Sequence, residues 1–322
     1  MVGFKPEEVH LSSTEYAGVG ALCGFVTRVL CQPLDVVKIR FQLQVEPIRK
    51  TILRSKPSKY HGVVQAFQTI VKEEGATALW KGHVPAQILS VTYGLAQFTS
   101  FEILTSMTWR YLPEDLTTKY RPMTHTVCGG LAGCVAITVA QPADILRTRF
   151  VSQGKNKVYT SLYSGVKTMA KHEGLFSFYK GLVPALCQIG PQMGLQFGFY
   201  ALFTKLWEQW FKRTGLKKPG VTETVVCGSC AGMISKTLVY PLDIIKKRLE
   251  VQGFEKARSE FGAVRQYKGL RHCLLTIAKE ERGLRGLFKG LSPSLLKAAL
   301  AASSNFLIYD QLCYLVRVNH SS

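Results

Sequence analysis

Three short segments of the chain place one acidic and at least two basic side chains at the end of an apolar run, and each segment begins with a proline. PLDVVKIR begins at Pro33, PADILRTR at Pro142 and PLDIIKKR at Pro241, so the pattern Pro-x-Asp-x-x-Lys/Arg-x-Arg occurs at intervals of 109 and 99 residues. In a helix, the acid and the base three residues later lie on one face. The chemistry that this spacing predicts is ion pairing.

Such charges at the end of an apolar helix are expected to face the interior of a bundle, because lipid would penalise them by a few kcal/mol. Three symmetric pairs on three helices can close a ring across a central axis and shut a pore. A static lock is the alternative, but desolvation nearly cancels the attraction of buried ion pairs, which suits a switchable gate better. The prolines should kink the helices just before the ring. The candidate pairs are Asp35 and Lys38, Asp144 and Arg147, and Asp243 and Lys246. We call these residues the signature acids and signature bases, and the helices that carry them the signature helices.

The sequence contains no clear pattern of a catalytic site or a metal site. The histidines fall in loops or at helix ends without the spacing of metal ligands. Cys227 and Cys230 have the spacing of a redox or metal pair, but no second cysteine pair completes a site, so packing is the better interpretation. A membrane-bound enzyme would need a nucleophile and base or a metal cluster. We therefore expect no enzymatic activity, no metal and no cofactor.

The repeats and the composition predict a membrane protein of three tandem units. The 322 residues are 47% hydrophobic and only 19% charged, and each unit has two apolar segments long enough to cross a bilayer. We predict an all-α membrane protein in which six transmembrane helices surround a pseudo-threefold axis, with short helices at the charged end. The predicted spans are 14–41 and 83–108, 122–150 and 183–211, and 221–249 and 291–316, within repeats 14–108, 122–211 and 221–316, flanked by tails 1–13 and 317–322.

The net charge of +20 is concentrated in three segments that the topology places on one side. Segments 38–82, 147–181 and 246–290 together hold 28 Lys and Arg against 9 acids. This asymmetry is typical of a multispanning membrane protein rather than of a basic surface for nucleic acid. We therefore expect no nucleic-acid partner.

The triple motif, each copy followed after a loop by Gly-x(4)-aromatic-Lys-Gly, resembles the mitochondrial carrier family from about Tyr16 to Val316. The resemblance implies a monomeric solute carrier of the mitochondrial inner membrane that works by alternating access, with both termini toward the intermembrane space. It also implies ion pairs between repeats that close the matrix side: Asp35 with Arg147, Asp144 with Lys246, and Asp243 with Lys38. Gln42 matches a glutamine that braces such a pair in the family, whereas Val151 and Glu250 hold the equivalent places.

On the opposite side, the resemblance implies a second network on the even-numbered helices, a cytoplasmic gate. Two acids of that motif are present, Glu102 and Asp310, but no base stands in register with them. The outward gate therefore looks weak, which leaves both exchange and uniport open. The aromatic members of the motif are Phe101, Tyr200 and Tyr309.

Candidate substrate-binding residues face the predicted cavity. Two helical turns before each signature acid stand Arg28, Ile137 and Lys236. The family's contact points on the even helices match Leu89, Gln188 and Lys297, with Ser90 and Ile189 beside them and Tyr93 and Gln192 one turn further along. Lys297 has no acid within a turn of its own helix, so it is predicted to be a cation available to the substrate, whereas Arg28 and Lys236 could instead offset the signature acids.

The cations, amides and aromatic ring of this set suit a phosphorylated anion that carries a ring. The long third loop, from Gly253 to Leu270, together with WKGHVPAQILS and KGLSPSLLKAAL, resembles the branch of the family that carries thiamine pyrophosphate into the matrix. Nucleotides are expected as a possible counter-substrate. A carrier of nucleotides, deoxynucleotides or coenzyme A, or one that leaks protons or fatty-acid anions, stays open as an alternative.

A last group of residues resembles the family's cardiolipin clamps, in which helix N-termini and a base meet lipid phosphates. Interfacial anchoring by the aromatic rings explains these residues almost as well. Ser161 replaces the glycine of the clamp motif in repeat 2, which predicts a weaker clamp there. The candidate residues are Trp80 and Gly82, Tyr179 and Gly181, Phe288 and Gly290, with Gly62 and Gly269.

Overall fold

The computed structural model describes residues 12–45, 59–111, 121–154, 157–214, 220–254, 265–281 and 283–321. Within these ranges the chain is helical and contains no strand. Most of the predicted N-terminal tail and residues 255–264 of the long third loop lie outside the described part. The α-helices are α1 (Ser13–Leu43), α2 (Val63–Glu74), α3 (His83–Tyr111), α4 (Arg121–Ser152), α5 (Leu162–Glu173), α6 (Leu182–Thr214), α7 (Gly220–Glu250), α8 (Leu270–Glu280) and α9 (Leu291–Ser321).

Each repeat consists of a long helix, a short amphipathic helix, a 3-10 turn and a second long helix. The six long helices contain 29 to 33 residues, so each is longer than the roughly 30 Å hydrocarbon core of a bilayer. Within the part of the chain that the structure describes, three stretches qualify as candidate membrane spans by length and composition together: Thr14–Leu43, Met123–Ser152 and Glu223–Glu250. The second long helices of repeats 2 and 3, α6 and α9, are also long enough to cross a bilayer, but polar residues such as Gln188, Gln192 and Lys297 lie along them.

The outer surface of the bundle is apolar, as a lipid-facing surface must be. On α4, four apolar side chains that recur every four residues are exposed, while the alanines one position further along are buried. Small residues therefore face the neighbouring helices and larger apolar ones face outward. The exposed set is Val127, Leu131, Val135 and Val139, and the buried set is Ala132, Ala136 and Ala140.

The long helices form a closed circle by pairing across repeats. The second long helix of each repeat packs against the first long helix of the next: α3 against α4, α6 against α7, and α9 against α1. The last repeat thus returns to the first, which fits the predicted pseudo-threefold arrangement. Pro33, Pro142 and Pro241 lie inside α1, α4 and α7, where each removes a backbone hydrogen bond.

One end of the bundle, where α1, α4 and α7 finish, is the charged end. Beneath it the short helices α2, α5 and α8 pack their apolar faces against those helix ends. In the first repeat, Phe41 and Tyr60 lie in a cluster that Val151 of repeat 2 and Val251 of repeat 3 also join. The three repeats therefore share a core at this end, which holds the signature acids in register.

Candidate functional site

Three ion pairs link the repeats at the charged end. Arg147 Nη2 lies 2.7 Å from Asp35 Oδ2, Lys246 Nζ lies 2.7 Å from Asp144 Oδ2, and Lys38 Nζ lies 2.7 Å from Asp243 Oδ2. They join α1 to α4, α4 to α7 and α7 to α1, with the pairing that the family resemblance implies. The ring therefore closes the bundle across its axis.

Each signature acid also binds a second donor, and this donor differs from one repeat to the next. Asp243 accepts a hydrogen bond from Gln42 Nε2 at 3.0 Å, and the same amide donates to the Tyr240 hydroxyl at 3.1 Å. Gln42 thus lies directly under the Lys38–Asp243 pair, in the position of the family's brace.

The second donor of Asp144 corrects the expectation that only Gln42 braces the ring. Lys247 Nζ lies 2.8 Å from Asp144 Oδ1 and 2.9 Å from Glu250 Oε2, and Thr148 Oγ1 donates to the same Glu250 oxygen at 2.6 Å. Glu250 is fully buried, so it needs these partners. A buried Lys247–Glu250 pair therefore supports the second ion pair. The sequence signal that went unused is the second lysine in IIKKR.

The second donor of Asp35 corrects the prediction for Lys297. Lys297 Nζ lies 2.6 Å from Asp35 Oδ1, so Lys297 is already ion-paired. The prediction considered only acids on the same helix, whereas Asp35 reaches Lys297 from α1. Lys297 retains 27% exposure of its side chain.

A second layer of charge lies below the ring and was not assigned from the sequence. Arg40 Nη2 donates to Glu74 Oε2 at 2.8 Å, and Lys81 pairs with the same carboxylate. Both cations also bind the end of the next signature helix, since Arg40 Nε donates to the carbonyl of Val151 at 3.3 Å and Lys81 Nζ donates to that of Gly154 at 2.9 Å. Cations suit these carbonyls because a helix C-terminus carries partial negative charge.

The same triad occurs in the other two repeats. Arg149, Glu173 and Lys180 join repeat 2 to the carbonyls of Glu250 and Gln252. Arg248, Glu281 and Lys289 join repeat 3 to those of Gln42, Gln44 and Val45. Two sequence features that could have predicted the triads are the Arg two residues after each signature base and the Glu at the C-terminal end of each short helix.

The environment of Glu74 explains its ionisation. Burial raises the pKa of this carboxyl, but the hydrogen bonds from Arg40 and Lys81 outweigh burial and leave the pKa below its ordinary value. Burial raises the pKa of the neighbouring Tyr60 hydroxyl to about 12. The triad therefore holds a charged carboxylate between two cations.

The glycines of the aromatic-Lys-Gly motif make close approaches between repeats. Gly82, Gly181 and Gly290 all have positive φ, from +75° to +82°. A Cβ atom added at any of them would lie 3.0 Å from the carbonyl oxygen of a signature base in the next repeat, namely Arg147, Lys246 or Lys38. Glycine is thus required at these positions by backbone conformation and by packing.

A cavity of about 330 Å³ lies directly against the ring. Arg28 and Tyr93 line it, as do Leu89 and Ser90 and the bases Lys38, Arg147 and Lys246. Within the described part of the chain, the Arg28 guanidinium has no ion pair or hydrogen bond. Among the described residues, the cavity therefore offers Arg28 as a cation without an ion pair, beside several bases that are held by the signature acids.

A second cavity of about 200 Å³ shares Tyr93, Ile137 and Lys246 with the first. The predicted residues Gln188, Ile189 and Gln192 line it, and the amide of Gln188 donates to Gln192 at 3.2 Å. Lys236 Nζ donates to the Ser294 carbonyl at 3.3 Å and has no acid partner among the described residues. Tyr93 therefore lies between the two cavities, with the amides of Gln188 and Gln192 in one and Arg28 in the other.

The opposite end of the bundle carries the predicted second network in an open arrangement. Glu102 and Asp310 are exposed, and neither has an ion-pair partner within the ranges that the structure describes. Phe101 packs against His125, with ring centroids 5.9 Å apart, and Tyr309 packs in a small cluster with Tyr16. Tyr200 lies near Gly228. These five residues do not form one cluster in this conformation.

The candidate lipid-binding residues lie at or beside helix N-termini. The N-caps of α2 and α8 are Gly62 and Gly269, which provide no side-chain cap, so the first N–H groups of those helices lack a side-chain acceptor there. In repeat 2, Ser161 caps α5 through Ser164. Trp80 and Tyr179 are 42% and 44% exposed, whereas Phe288 stacks on Tyr240. Within the described residues, no group of His, Cys, Asp and Glu could hold a metal ion.

Comparison with known proteins gives a family match in each of the three repeats. A family model described as "Mitochondrial carrier protein" matches residues 9–112, 118–209 and 217–318. These bounds cover the three predicted repeats nearly completely.

Among the similar curated proteins are a "Mitochondrial thiamine pyrophosphate carrier" from Bos taurus and one from Homo sapiens. Each is 50% identical over 316 residues, which cover 97% of this chain and 96% of the relative. A "Mitochondrial thiamine diphosphate carrier 2" from Zea mays is 38% identical over 308 residues, covering 91% of both chains.

Proposed function

The chain belongs to the mitochondrial carrier family, and we propose that it carries thiamine pyrophosphate across the mitochondrial inner membrane by alternating access. Relatives with that substrate in their names match nearly the whole chain. A family of carriers implies transport rather than catalysis. Thiamine pyrophosphate would move into the matrix, with nucleotides as a possible counter-substrate.

The observation that carries the proposal is the cavity of about 330 Å³ that holds Arg28 and the ring of Tyr93 against the charged end, with no ion-pair partner for Arg28 among the described residues. A guanidinium binds phosphate oxygens in a bidentate geometry. An aromatic face suits the flat rings of the substrate. The amides of Gln188 and Gln192 in the adjoining cavity suit polar edges of those rings. Leu89, Ser90, Ile189, Lys236 and Lys297 complete the proposed binding site.

The ring of ion pairs serves as the matrix gate in this proposal, and the conformation of the structure would be the one closed to the matrix. A gate of buried ion pairs is switchable because desolvation offsets most of the attraction. A ligand can open it only by its differential affinity for the two states. The helix kinks expected at the three signature prolines would bring the gate residues together.

The orientation follows from the charge. The basic segments next to the closed end would face the matrix, as in the positive-inside rule, and both termini would face the intermembrane space. Glu102 and Asp310, which have no register-matched base, would form a weak cytoplasmic gate. This weakness leaves uniport possible beside exchange. A single chain contains the whole circle of helices, which supports a monomer.

Cardiolipin is the proposed lipid partner at the N-termini of the short helices. The uncapped N-termini of α2 and α8 offer N–H groups and a partial positive charge to lipid phosphates. The clamp next to α5 should be weaker, because Ser161 already caps that helix.

Uptake into liposomes that contain cardiolipin tests the proposed substrate. We expect saturable uptake of radiolabelled thiamine pyrophosphate that excess ADP or coenzyme A reduces only weakly. Preferential uptake of ADP, a deoxynucleotide or coenzyme A would instead assign the cavity to another phosphorylated aromatic anion. Liposomes without the protein provide the background.

A further inference from the structure

The second donors of the three signature acids differ in where they come from. Lys247 and Gln42, which support Asp144 and Asp243, belong to the signature helices α7 and α1 themselves. Lys297, which supports Asp35, comes from α9 and is one of the proposed substrate-binding residues. Asp35 is therefore the signature acid whose second donor comes from the second long helix of a repeat and is itself a proposed substrate contact.

Each oxygen of the Asp35 carboxylate pairs with a different cation. Oδ1 lies 2.6 Å from Lys297 Nζ, and Oδ2 lies 2.7 Å from Arg147 Nη2. The Asp35 side chain is only 3% exposed, whereas that of Lys297 is 27% exposed. The Lys247 side chain is 7% exposed and Gln42 is fully buried. Lys247 also lines the 330 Å³ cavity, but of the three second donors Lys297 has by far the most exposed side chain.

We propose that the diphosphate of the substrate competes with Asp35 for Lys297, so that substrate binding removes one of the two cations that hold the buried Asp35 and destabilises the closed state at the Asp35–Arg147 link. This inference rests on the proposed function, because it assigns Lys297 to the phosphate groups. Asp35 is then a positioning residue that couples the occupied site to one defined pair of the matrix gate.

The charges favour this exchange of partners. A diphosphate offers several anionic oxygens to an ammonium, where Asp35 offers one carboxylate. Once Lys297 leaves, Asp35 retains Arg147, which also lies 3.9 Å from Asp144. A buried carboxylate that loses a partner is strongly destabilised. The link between repeats 1 and 2 should therefore be the first of the three to open.

Binding affinities of five variants test the competition. Asp35→Asn releases Lys297, so we expect the dissociation constant of thiamine pyrophosphate, and of inorganic pyrophosphate as a minimal probe, to fall roughly five- to tenfold. In a Lys297→Gln background, adding Asp35→Asn should change the constant less than twofold. Asp144→Asn is the matched control, because it also removes a gate acid but frees no residue of α9, and its effect should be the same in both backgrounds.

An Asp35→Asn effect of equal size in both backgrounds would overturn the inference, since it would come from general positive charge. If that variant does not fold, the structure of the unmodified carrier with bound ligand gives a second test. We expect Lys297 Nζ to bind phosphate and to lie beyond 4.0 Å, the limit of an ion pair, from Asp35. An intact Lys297–Asp35 pair in the bound state would contradict the competition.

The two proposals fail in different ways. If the carrier binds ADP or coenzyme A but not thiamine pyrophosphate, the proposed substrate is wrong, and the same variants then test the competition with the ligand that binds. If thiamine pyrophosphate binds while the Lys297–Asp35 pair persists, only the coupling is wrong. Failure to bind any of these phosphates would refute both.

Discussion

Gly82 lies against the backbone carbonyl of Arg147, so the aromatic-Lys-Gly motif of one repeat contacts the signature base of the next. A Cβ atom at Gly82 would lie 3.0 Å from that carbonyl oxygen and 3.0 Å from Val151 Cγ2. The equivalent contacts at Gly181 and Gly290 complete a circle of close approaches at the charged end. The motif therefore has a packing role that does not depend on lipid.

Substituting Gly82 tests this packing role. Gly82→Ala should lower the free energy of unfolding by more than about 1 kcal/mol, because φ is +75° there and the added methyl group meets backbone atoms. Thermal unfolding of the purified carrier measures the effect. Gly94→Ala in α3 is the matched control, since a Cβ there meets nothing within 4 Å. Equal melting temperatures for the two variants would contradict the packing argument.

The buried pair of Lys247 and Glu250 should be costly to break. Lys247→Gln removes the nearer of the two lysines beside the buried Glu250 and leaves Lys246 Nζ at 3.8 Å from its Oε1. Removal of one partner of such a pair typically costs about 3–5 kcal/mol. The melting temperature should drop sharply in Lys247→Gln and recover in part in the Lys247→Gln/Glu250→Gln double variant. Lys167→Gln, at an exposed site on α5, controls for the loss of one positive charge. No recovery in the double variant would show that the pair does not act as a unit.

The acid sensitivity of the charged end should depend on Glu74. Its pKa is lowered in the folded protein, so its charge contributes stability that is present above the ordinary value of 4.5 and is lost as pH falls through the lowered pKa. The difference in melting temperature between the unmodified carrier and Glu74→Gln should therefore shrink as pH falls below about 4.5. A difference that stays constant or grows under acid would contradict this assignment.

Ser161 provides a test of the proposed cardiolipin sites. Ser161→Gly removes the side-chain cap of α5 at a cost of only a few tenths of a kcal/mol. It restores the glycine that the other two repeats have at this position. The rise in melting temperature on adding cardiolipin should be larger in Ser161→Gly than in the unmodified carrier. An unchanged or smaller rise would mean that this N-terminus does not bind the lipid.

The sequence predicted the features that recur at constant spacing. The three Pro-x-Asp-x-x-Lys/Arg segments gave the repeats and the helices that carry Asp35, Asp144 and Asp243, because one helix fixes the relative positions of residues three or four apart. The family resemblance then supplied the pairing between helices. Gln42 was predicted on the same grounds and lies beside Asp243.

Apart from Lys247 with Glu250, which are three residues apart on α7, the contacts that were missed join residues that do not lie on one helix. Lys297 meets Asp35 only because α9 packs beside α1, and Lys247 reaches Asp144 across the boundary between α7 and α4. The Arg40–Glu74–Lys81 triad likewise depends on how α2 folds back under α1. Long basic side chains can reach several acids, so their partners depend on the tertiary arrangement.

The most direct test of the central claim is the initial rate of thiamine pyrophosphate uptake by cardiolipin liposomes that contain the unmodified carrier, Arg28→Ala, Lys297→Ala or the control Lys167→Ala. Loss of a hydrogen-bonding cation should cost about 1.5–3 kcal/mol of substrate interaction. We therefore expect uptake at subsaturating substrate to fall by about tenfold or more in Arg28→Ala and in Lys297→Ala, while Lys167→Ala transports normally. Uptake at the unmodified rate by both cavity variants would contradict the proposed site, and absence of uptake by the unmodified carrier would contradict the proposed substrate.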